Sequence, residues 1–192
     1  MSAACLFRVH SGPIAARMNI RFPCFLIIAL QLALPATAET NKPTPAKHAA
    51  ADSPKSIGKF DDWTAATHKE SGQTVCYAFT RAQSSAPLLP GRGGVVLTVT
   101  ERSSGRDAIA IEAGLAYAPN ATVTVQVDQT GLEFYTSGQN AFARDGKAAV
   151  TAFGKGTRAI ARSPSPKEVT DTFSLKGFGQ AYAAIVKACP AK

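Results

Sequence analysis

Residues 95–100 read VVLTVT, residues 109–113 read IAIEA and residues 123–127 read VTVQV. In each stretch every second side chain is apolar, and the side chains between are mostly smaller or polar. A period of two is typical of a β-strand that buries one face and exposes the other. These stretches therefore predict an antiparallel sheet packed over a hydrophobic core.

Other segments extend the predicted sheet. Residues 73–81 (QTVCYAFTR) are rich in β-forming residue types, and shorter candidate strands cover 63–67, 132–135, 157–161 and 169–175. Turn residues separate the strands at 104–105, 119–120, 130–131, 137–138 and 163–166. Seven or more short strands at this spacing favour an antiparallel sandwich or barrel.

Two segments depart from the period of two. Residues 147–153 (KAAVTAF) are rich in alanine and predict a short helix that ends at Gly154. At the C-terminus, apolar residues recur at helical spacing, with Ser174 as a candidate N-cap and Pro190 beyond the end. This stripe consists of Phe178, Ala181, Tyr182, Ile185, Val186 and Cys189. We expect the C-terminal helix to pack its stripe on the sheet.

The N-terminus has the pattern of a secretion signal. Basic residue Arg21 precedes an apolar run over residues 22–35, and the small residues 36–38 follow. Residues 1–38 are therefore predicted to be a signal peptide, within which residues 1–17 are either an over-long start or an unusually long charged region. The apolar run of 14 residues is shorter than a membrane-spanning helix requires, so no transmembrane span is predicted.

The exported chain consists of two parts that differ in composition. Residues 39–55 contain Pro, Ala and Lys but no Val, Ile, Leu or aromatic residue, which predicts a disordered tether. Residues 56–192 form the predicted folded domain. This domain retains Cys76 and Cys189, which are far apart in sequence and lack a C-x-x-C pattern. In an oxidising compartment they predict one structural disulfide rather than a redox-active pair.

The charge of the exported chain is mildly basic. Removing residues 1–38 leaves 18 basic and 13 acidic side chains, without a block of Lys or Arg. Nucleic acid is therefore not a predicted partner. The nearest approach to a basic cluster is Lys155, Arg158 and Arg162, for which we expect either weak contacts to anionic lipid or glycan or an ordinary solvated surface.

The most irregular part of the predicted domain is residues 81–94 (RAQSSAPLLPGRGG). Its adjacent leucines suggest a contact loop in which Leu88, Leu89 and Arg92 meet a partner. The alternative is that both leucines fold back onto the core.

The sequence predicts no metal site, no cofactor and no set of catalytic residues. The exported chain has two histidines, no G-x-S-x-G motif and no His/Cys cluster. Strand carboxylates that meet in space would still allow chemistry on glycans. The candidates for such a meeting are Asp107, Glu112, Asp128 and Glu133.

Several motifs together resemble one protein family. Trp63 precedes the strand that carries Cys76-Tyr77, and residues 141–145 read AFARD. The most specific run is SLKGF at residues 174–178, followed by the terminal cysteine. This pattern resembles the invasion-associated locus B family of α-proteobacteria. The chain lacks the additional mid-chain cysteine pair of the better-known branch and so resembles the shorter one.

The resemblance carries its own expectations. It implies an immunoglobulin-like antiparallel β-sandwich, located in the periplasm or secreted from a Gram-negative cell, and a link to host-cell invasion. It implies no catalytic residues. We therefore expect a non-enzymatic envelope protein that binds a partner or a surface component. The alternatives are a small periplasmic enzyme acting on glycan or lipid, and a structural protein associated with the outer membrane.

Overall fold

The computed structural model describes residues 53–164 and 168–191. The predicted signal peptide and nearly all of the predicted tether lie outside these residues. The described domain begins with a strand at Lys55, one residue before the predicted boundary. Its elements are β1 (Lys55–Phe60), β2 (Trp63–Glu70), β3 (Gln73–Arg81), β4 (Ser84–Ala86), β5 (Val96–Arg102), β6 (Gly105–Glu112), β7 (Thr122–Val127), β8 (Thr130–Ser137), β9 (Asn140–Ala143), α1 (Gly146–Lys155), β10 (Arg158–Ser163), β11 (Val169–Ser174) and α2 (Phe178–Ala188).

All the described strands belong to one antiparallel sheet, in the order β1-β2-β3-β5-β6-β9-β8-β7-β10-β11-β4. The strand β4 follows β3 after two residues and pairs with β11, while β3 itself pairs with β5. The link between them bonds to both neighbours: Ala82 N donates to Val95 O, and Gln83 N donates to Thr172 O. The segment 73–86 therefore connects β3, the third strand from one end of the sheet, with β4 at the other end, and the sheet curves around its core.

The alternation predicted from the sequence sets the inner face. Leu97 and Val99 of β5, Ile109 and Ile111 of β6, and Val125 of β7 are all buried in one hydrophobic core. Their neighbours along each strand point outward and are more exposed. The predicted mainly β fold is confirmed, and the strand 73–81 is found with the bounds that the sequence predicts.

The helix α2 packs on the inner face of the sheet, as predicted. Phe178 meets Trp63 edge to face, with ring centroids 5.0 Å apart, and Phe153 of α1 packs on Phe178 at 5.5 Å. At the other end of α2, Cys189 forms a disulfide with Cys76 of β3, with their Cα atoms 5.9 Å apart. The predicted disulfide is thus present, and it fixes the end of α2 to the sheet.

The ends of both helices differ slightly from the prediction. Helix α1 continues past Gly154 to Lys155, and Asp145 caps its start by accepting a hydrogen bond from Ala148 N. Ser174 does not cap α2, because it is the last residue of β11 and its hydroxyl accepts from Lys176 N. Gly177 occupies the N-cap position with φ +88°, a backbone conformation that glycine adopts without strain.

We expect Gly177→Ala to destabilise the domain by about 2–4 kcal/mol. A Cβ at this position would overlap the carbonyl oxygen of Phe60, and the positive φ would strain any L side chain. The matched control is Gly179→Ala, two residues along in α2, where a Cβ meets nothing within 4 Å and alanine favours the helix. Urea denaturation of both variants checks this, and equal stabilities would contradict it.

Candidate functional site

The outer face of the sheet carries two stacks of aromatic side chains. On β3, Tyr77 and Phe79 stack with centroids 6.1 Å apart. Across β8 and β9, Tyr135 and Phe142 stack at 5.4 Å. Tyr135 is 46% exposed, and the other three rings are partly exposed.

The two stacks lie in one register row. Phe79 is opposite Thr98, Thr98 is opposite Ala110, and Ala110 is opposite Phe142. Three strand steps at about 4.8 Å each place the stacks roughly 14 Å apart. The surface between them is lined by small side chains, Thr98 and Thr100 of β5 and Ala108 and Ala110 of β6. We call these four residues and the four aromatic residues the aromatic face.

Charged side chains around the aromatic face are balanced in sign. Arg102 pairs with Glu70 at 2.8 Å, and Arg144 lies 3.7 Å from Glu133. The Arg144 guanidinium also lies 5.9 Å from the centroid of the Tyr135 ring. At the opposite margin Arg81 and Glu112 flank Val96 on neighbouring strands. Lys59 and Asp62, of opposite charge, line a depression that also contains Phe79. The charged side chains named here are therefore balanced in sign, and the aromatic face itself is apolar and hydroxyl-bearing.

The residues of the predicted contact loop differ in their exposure to solvent. Leu88 is 85% exposed and Leu89 is partly buried, whereas the Arg92 side chain is only 5% exposed. Arg92 makes a bidentate ion pair with Asp171, with both N–O distances 2.8 Å, and its Nε donates to Ala113 O. The guanidinium thus holds the loop to β11, and a contact role stays a prediction for the two leucines only.

A further set of hydrogen bonds surrounds this pair. Ser85 of β4 donates to Asp171 Oδ1 at 2.6 Å. The Tyr117 hydroxyl is also buried here beside Ser163, and burial raises the Tyr117 pKa. Because these groups join β4, β10, β11 and two loops, they have a structural role.

The predicted basic cluster lies at the surface. Arg158 and Arg162 are exposed and point outward from β10 on either side of Ile160, and Lys155 is exposed at the end of α1. Thr124 of β7 and Thr170 of β11 are opposite Arg162. In the described part of the chain no carboxylate forms an ion pair with any of these three cations.

A second polar cluster lies under the end of α2. Glu101 of β5 is fully buried, with Oε2 2.6 Å from Arg106 Nε and Oε1 accepting from Asp107 N. Asp107 accepts from the Tyr182 hydroxyl, and Arg106 donates to Cys189 O. Burial is the main cause that raises the pKa of Glu101 to about 6. The cluster therefore ties α2 to the β5–β6 hairpin beside the disulfide.

The raised pKa of Glu101 predicts a pH dependence of stability. Since the folded state holds this proton more tightly than the unfolded chain does, the free energy of unfolding falls as the pH rises from 4.5 to about 6. The expected decrease from this one carboxyl is about 2 kcal/mol. Urea denaturation between pH 4.5 and 7.5 measures it, and Glu101→Gln removes that part of the slope. Glu133→Gln, on the exposed outer face, is the control for the loss of one carboxylate.

The four carboxylates considered for catalysis are not brought together. Asp107 points toward Tyr182, while Glu112 and Glu133 lie on the outer face of different strands. Asp128 lies in the β7–β8 turn, with φ +49°. Glu101 does approach Asp107, but its side chain is inaccessible to a substrate.

The family model described as "Invasion associated locus B (IalB) protein" matches residues 63–186, well over half of the chain. The chain belongs to this family. The match covers the sheet from β2 through most of α2, including the aromatic face and the Arg92–Asp171 pair.

A solved member of the IalB family has the same fold. The crystal structure of invasion associated protein B from Bartonella henselae aligns with a TM-score of 0.52 at 16% identity, covering 68% of this chain and 95% of that one. Among curated proteins none matches the sequence significantly. None of the helices in the described ranges is both long and apolar enough to cross a membrane.

Sequence reasoning missed the aromatic face and both ionic clusters. The alternating pattern does place Glu101 and Asp171 on inward positions, after Val99 and before Phe173. An inward acid on a strand requires a partner, because a buried charge without one is costly. The identity of that partner depends on loop conformation, which the pattern does not specify.

Proposed function

We propose that this member of the IalB family is an exported, non-enzymatic envelope protein that acts by binding a partner or a surface component. The observation that carries the proposal is the aromatic face. Four partly exposed rings lie on the outer face of the sheet, with His68 packed against Tyr77 and Arg144 beside Tyr135 as their neighbours. Exposed aromatic groups of this kind commonly mark interaction sites.

The proposed compartment is the periplasm or the exterior of a Gram-negative cell. The signal-like N-terminus and the disulfide between Cys76 and Cys189 support it, because disulfides persist in oxidising compartments. Family membership supports a link to host-cell invasion, as the name of the family implies.

Site-specific photo-crosslinking tests the binding role. The full chain carries a benzophenone amino acid at position 135, on the aromatic face, or at position 183, on the exposed side of α2. We expect adducts from position 135 in envelope fractions and few from position 183, with mass spectrometry identifying the attached species. Absence of adducts at 135, or equal labelling at both positions, would contradict the proposal.

A second candidate function is attachment to an anionic surface through Lys155, Arg158 and Arg162. Its support is the absence of paired carboxylates around these cations in the described residues. Co-sedimentation with phosphatidylglycerol vesicles tests it. Salt at about 0.5 M screens attraction between exposed charges. Binding that is lost at this salt concentration, and is also lost in the double variant Arg158→Glu/Arg162→Glu, would support attachment. Binding that neither the double variant nor salt reduces would exclude it.

A further inference from the structure

We infer that the aromatic face binds a neutral glycan chain. The inference rests on the proposed binding function and names the class of ligand for the same site. Three features of the face support it: the separation of the two aromatic stacks, the composition of the surface between them, and the balance of charge around them.

The arrangement of the rings suits an extended ligand. Aromatic side chains offer flat apolar surfaces with a negative π-face, which attracts the weakly positive C–H groups on one side of a sugar ring. The Tyr77–Phe79 stack and the Tyr135–Phe142 stack lie roughly 14 Å apart across three strand steps. That separation exceeds a single sugar ring, so an oligosaccharide can contact both stacks while a monosaccharide cannot.

The surface between the stacks favours a sugar over a protein. It consists of Thr98, Thr100, Ala108 and Ala110, and the described outward positions of β3, β5, β6, β8 and β9 include no Leu, Ile, Met or Trp. Alanine is depleted in protein interfaces and threonine is rare among their energetic hot spots. Small side chains instead leave room for sugar rings to lie flat, and the hydroxyls of Thr98, Thr100, Tyr77 and Tyr135 can hydrogen-bond to sugar hydroxyls.

The charges around the face favour a neutral ligand. The basic side chains Arg81, Arg102 and Arg144 are matched by the acidic side chains Glu70, Glu112 and Glu133. Two of these cations already pair with carboxylates, so they offer little attraction to an anionic polymer or a lipid headgroup. Arg158 and Arg162 form no ion pair within the described residues. They lie on β10, which β7 separates from the Tyr135 strand β8.

Calorimetric titration of the exported chain (residues 39–192) tests the inference, with cellohexaose, maltohexaose and chitohexaose as neutral probes. We expect at least one probe to bind, and Tyr135→Ala to weaken that binding about tenfold. Ile57→Ala is the matched control, because Ile57 is an exposed apolar residue on the edge strand β1, off the aromatic face. Circular dichroism confirms that both variants are folded.

Two results would overturn the inference. One is that none of the three probes binds at millimolar concentration, and the other is that Tyr135→Ala binds as tightly as the wild type. The photo-crosslinking experiment separates this failure from a failure of the proposed function. Protein adducts at position 135 without glycan binding would reject the glycan and retain a binding role, whereas no adducts and no glycan binding would reject both.

Discussion

Asp171→Ala is expected to destabilise the domain by about 3–5 kcal/mol. The substitution leaves the Arg92 guanidinium, 5% exposed in the folded domain, without its bidentate carboxylate. It also removes the acceptor of the Ser85 hydroxyl. Since the pair joins the loop before β5 to β11, we also expect faster amide hydrogen exchange in β4 and in residues 87–94. Urea denaturation measures the global effect.

A surface ion pair provides the matched control for this prediction. Glu70 and Arg102 are also 2.8 Å apart, but their side chains are 51% and 36% exposed. The Arg102 hydrogen bond is the main cause that lowers the pKa of Glu70. Even so, Glu70→Ala is expected to leave the midpoint of urea denaturation almost unchanged, because water solvates both charges when the pair is broken. A comparable cost for Glu70→Ala and Asp171→Ala would contradict the structural role of the buried pair.

The double variant Arg92→Met/Asp171→Leu refines the test. Removing both charges avoids an unpaired buried ion, so this variant is expected to recover part of the stability lost in Asp171→Ala. If the double variant is no more stable than Asp171→Ala, the pair is not acting as a buried ion pair.

Loss of the disulfide is the second large effect. Cys76→Ala/Cys189→Ala is expected to lower the free energy of unfolding by about 2–5 kcal/mol. The bond closes a loop with a sequence separation of 113 residues, which strongly restricts the unfolded chain. In the folded state it fixes the end of α2, so hydrogen exchange should increase over residues 178–188 more than in β7 and β8.

Reduction of the wild-type protein is the control for this variant. Denaturation of the wild type in excess dithiothreitol should match denaturation of the double variant without reductant. If the variant is as stable as the oxidised wild type, the bond contributes nothing to stability, and its presence on β3 would need another explanation.

The sequence predicts the central strands well because their pattern is local. Leu97 and Val99 alternate with Thr98 and Thr100, and burial of one face alone determines this arrangement. The strands β1, β4 and β9 were not predicted. They have three to six residues, include Lys, Ser, Gly or Asn, and form because neighbouring strands supply partners.

The features of the candidate site depend on register and loop conformation. The aromatic face exists because Phe79 and Phe142, 63 positions apart in the printed sequence, fall in one row across four strands. No local pattern specifies that row. The prolines and glycines around Arg92 favoured a surface position for this residue. In the structure its side chain is instead buried, because it pairs with the buried Asp171 of β11.

Under the proposed function, this chain works outside the cytoplasm as a disulfide-bonded binding domain. The most direct test is the intact mass of the protein from the periplasmic fraction of a Gram-negative host that expresses the full chain, alkylated with and without prior reduction. We predict the mass of a chain that begins at Glu39, with both cysteines alkylated only after reduction. The mass of a chain that begins at Met1 or Met18 would contradict export. Alkylation of the cysteines without reduction would contradict the Cys76–Cys189 bond.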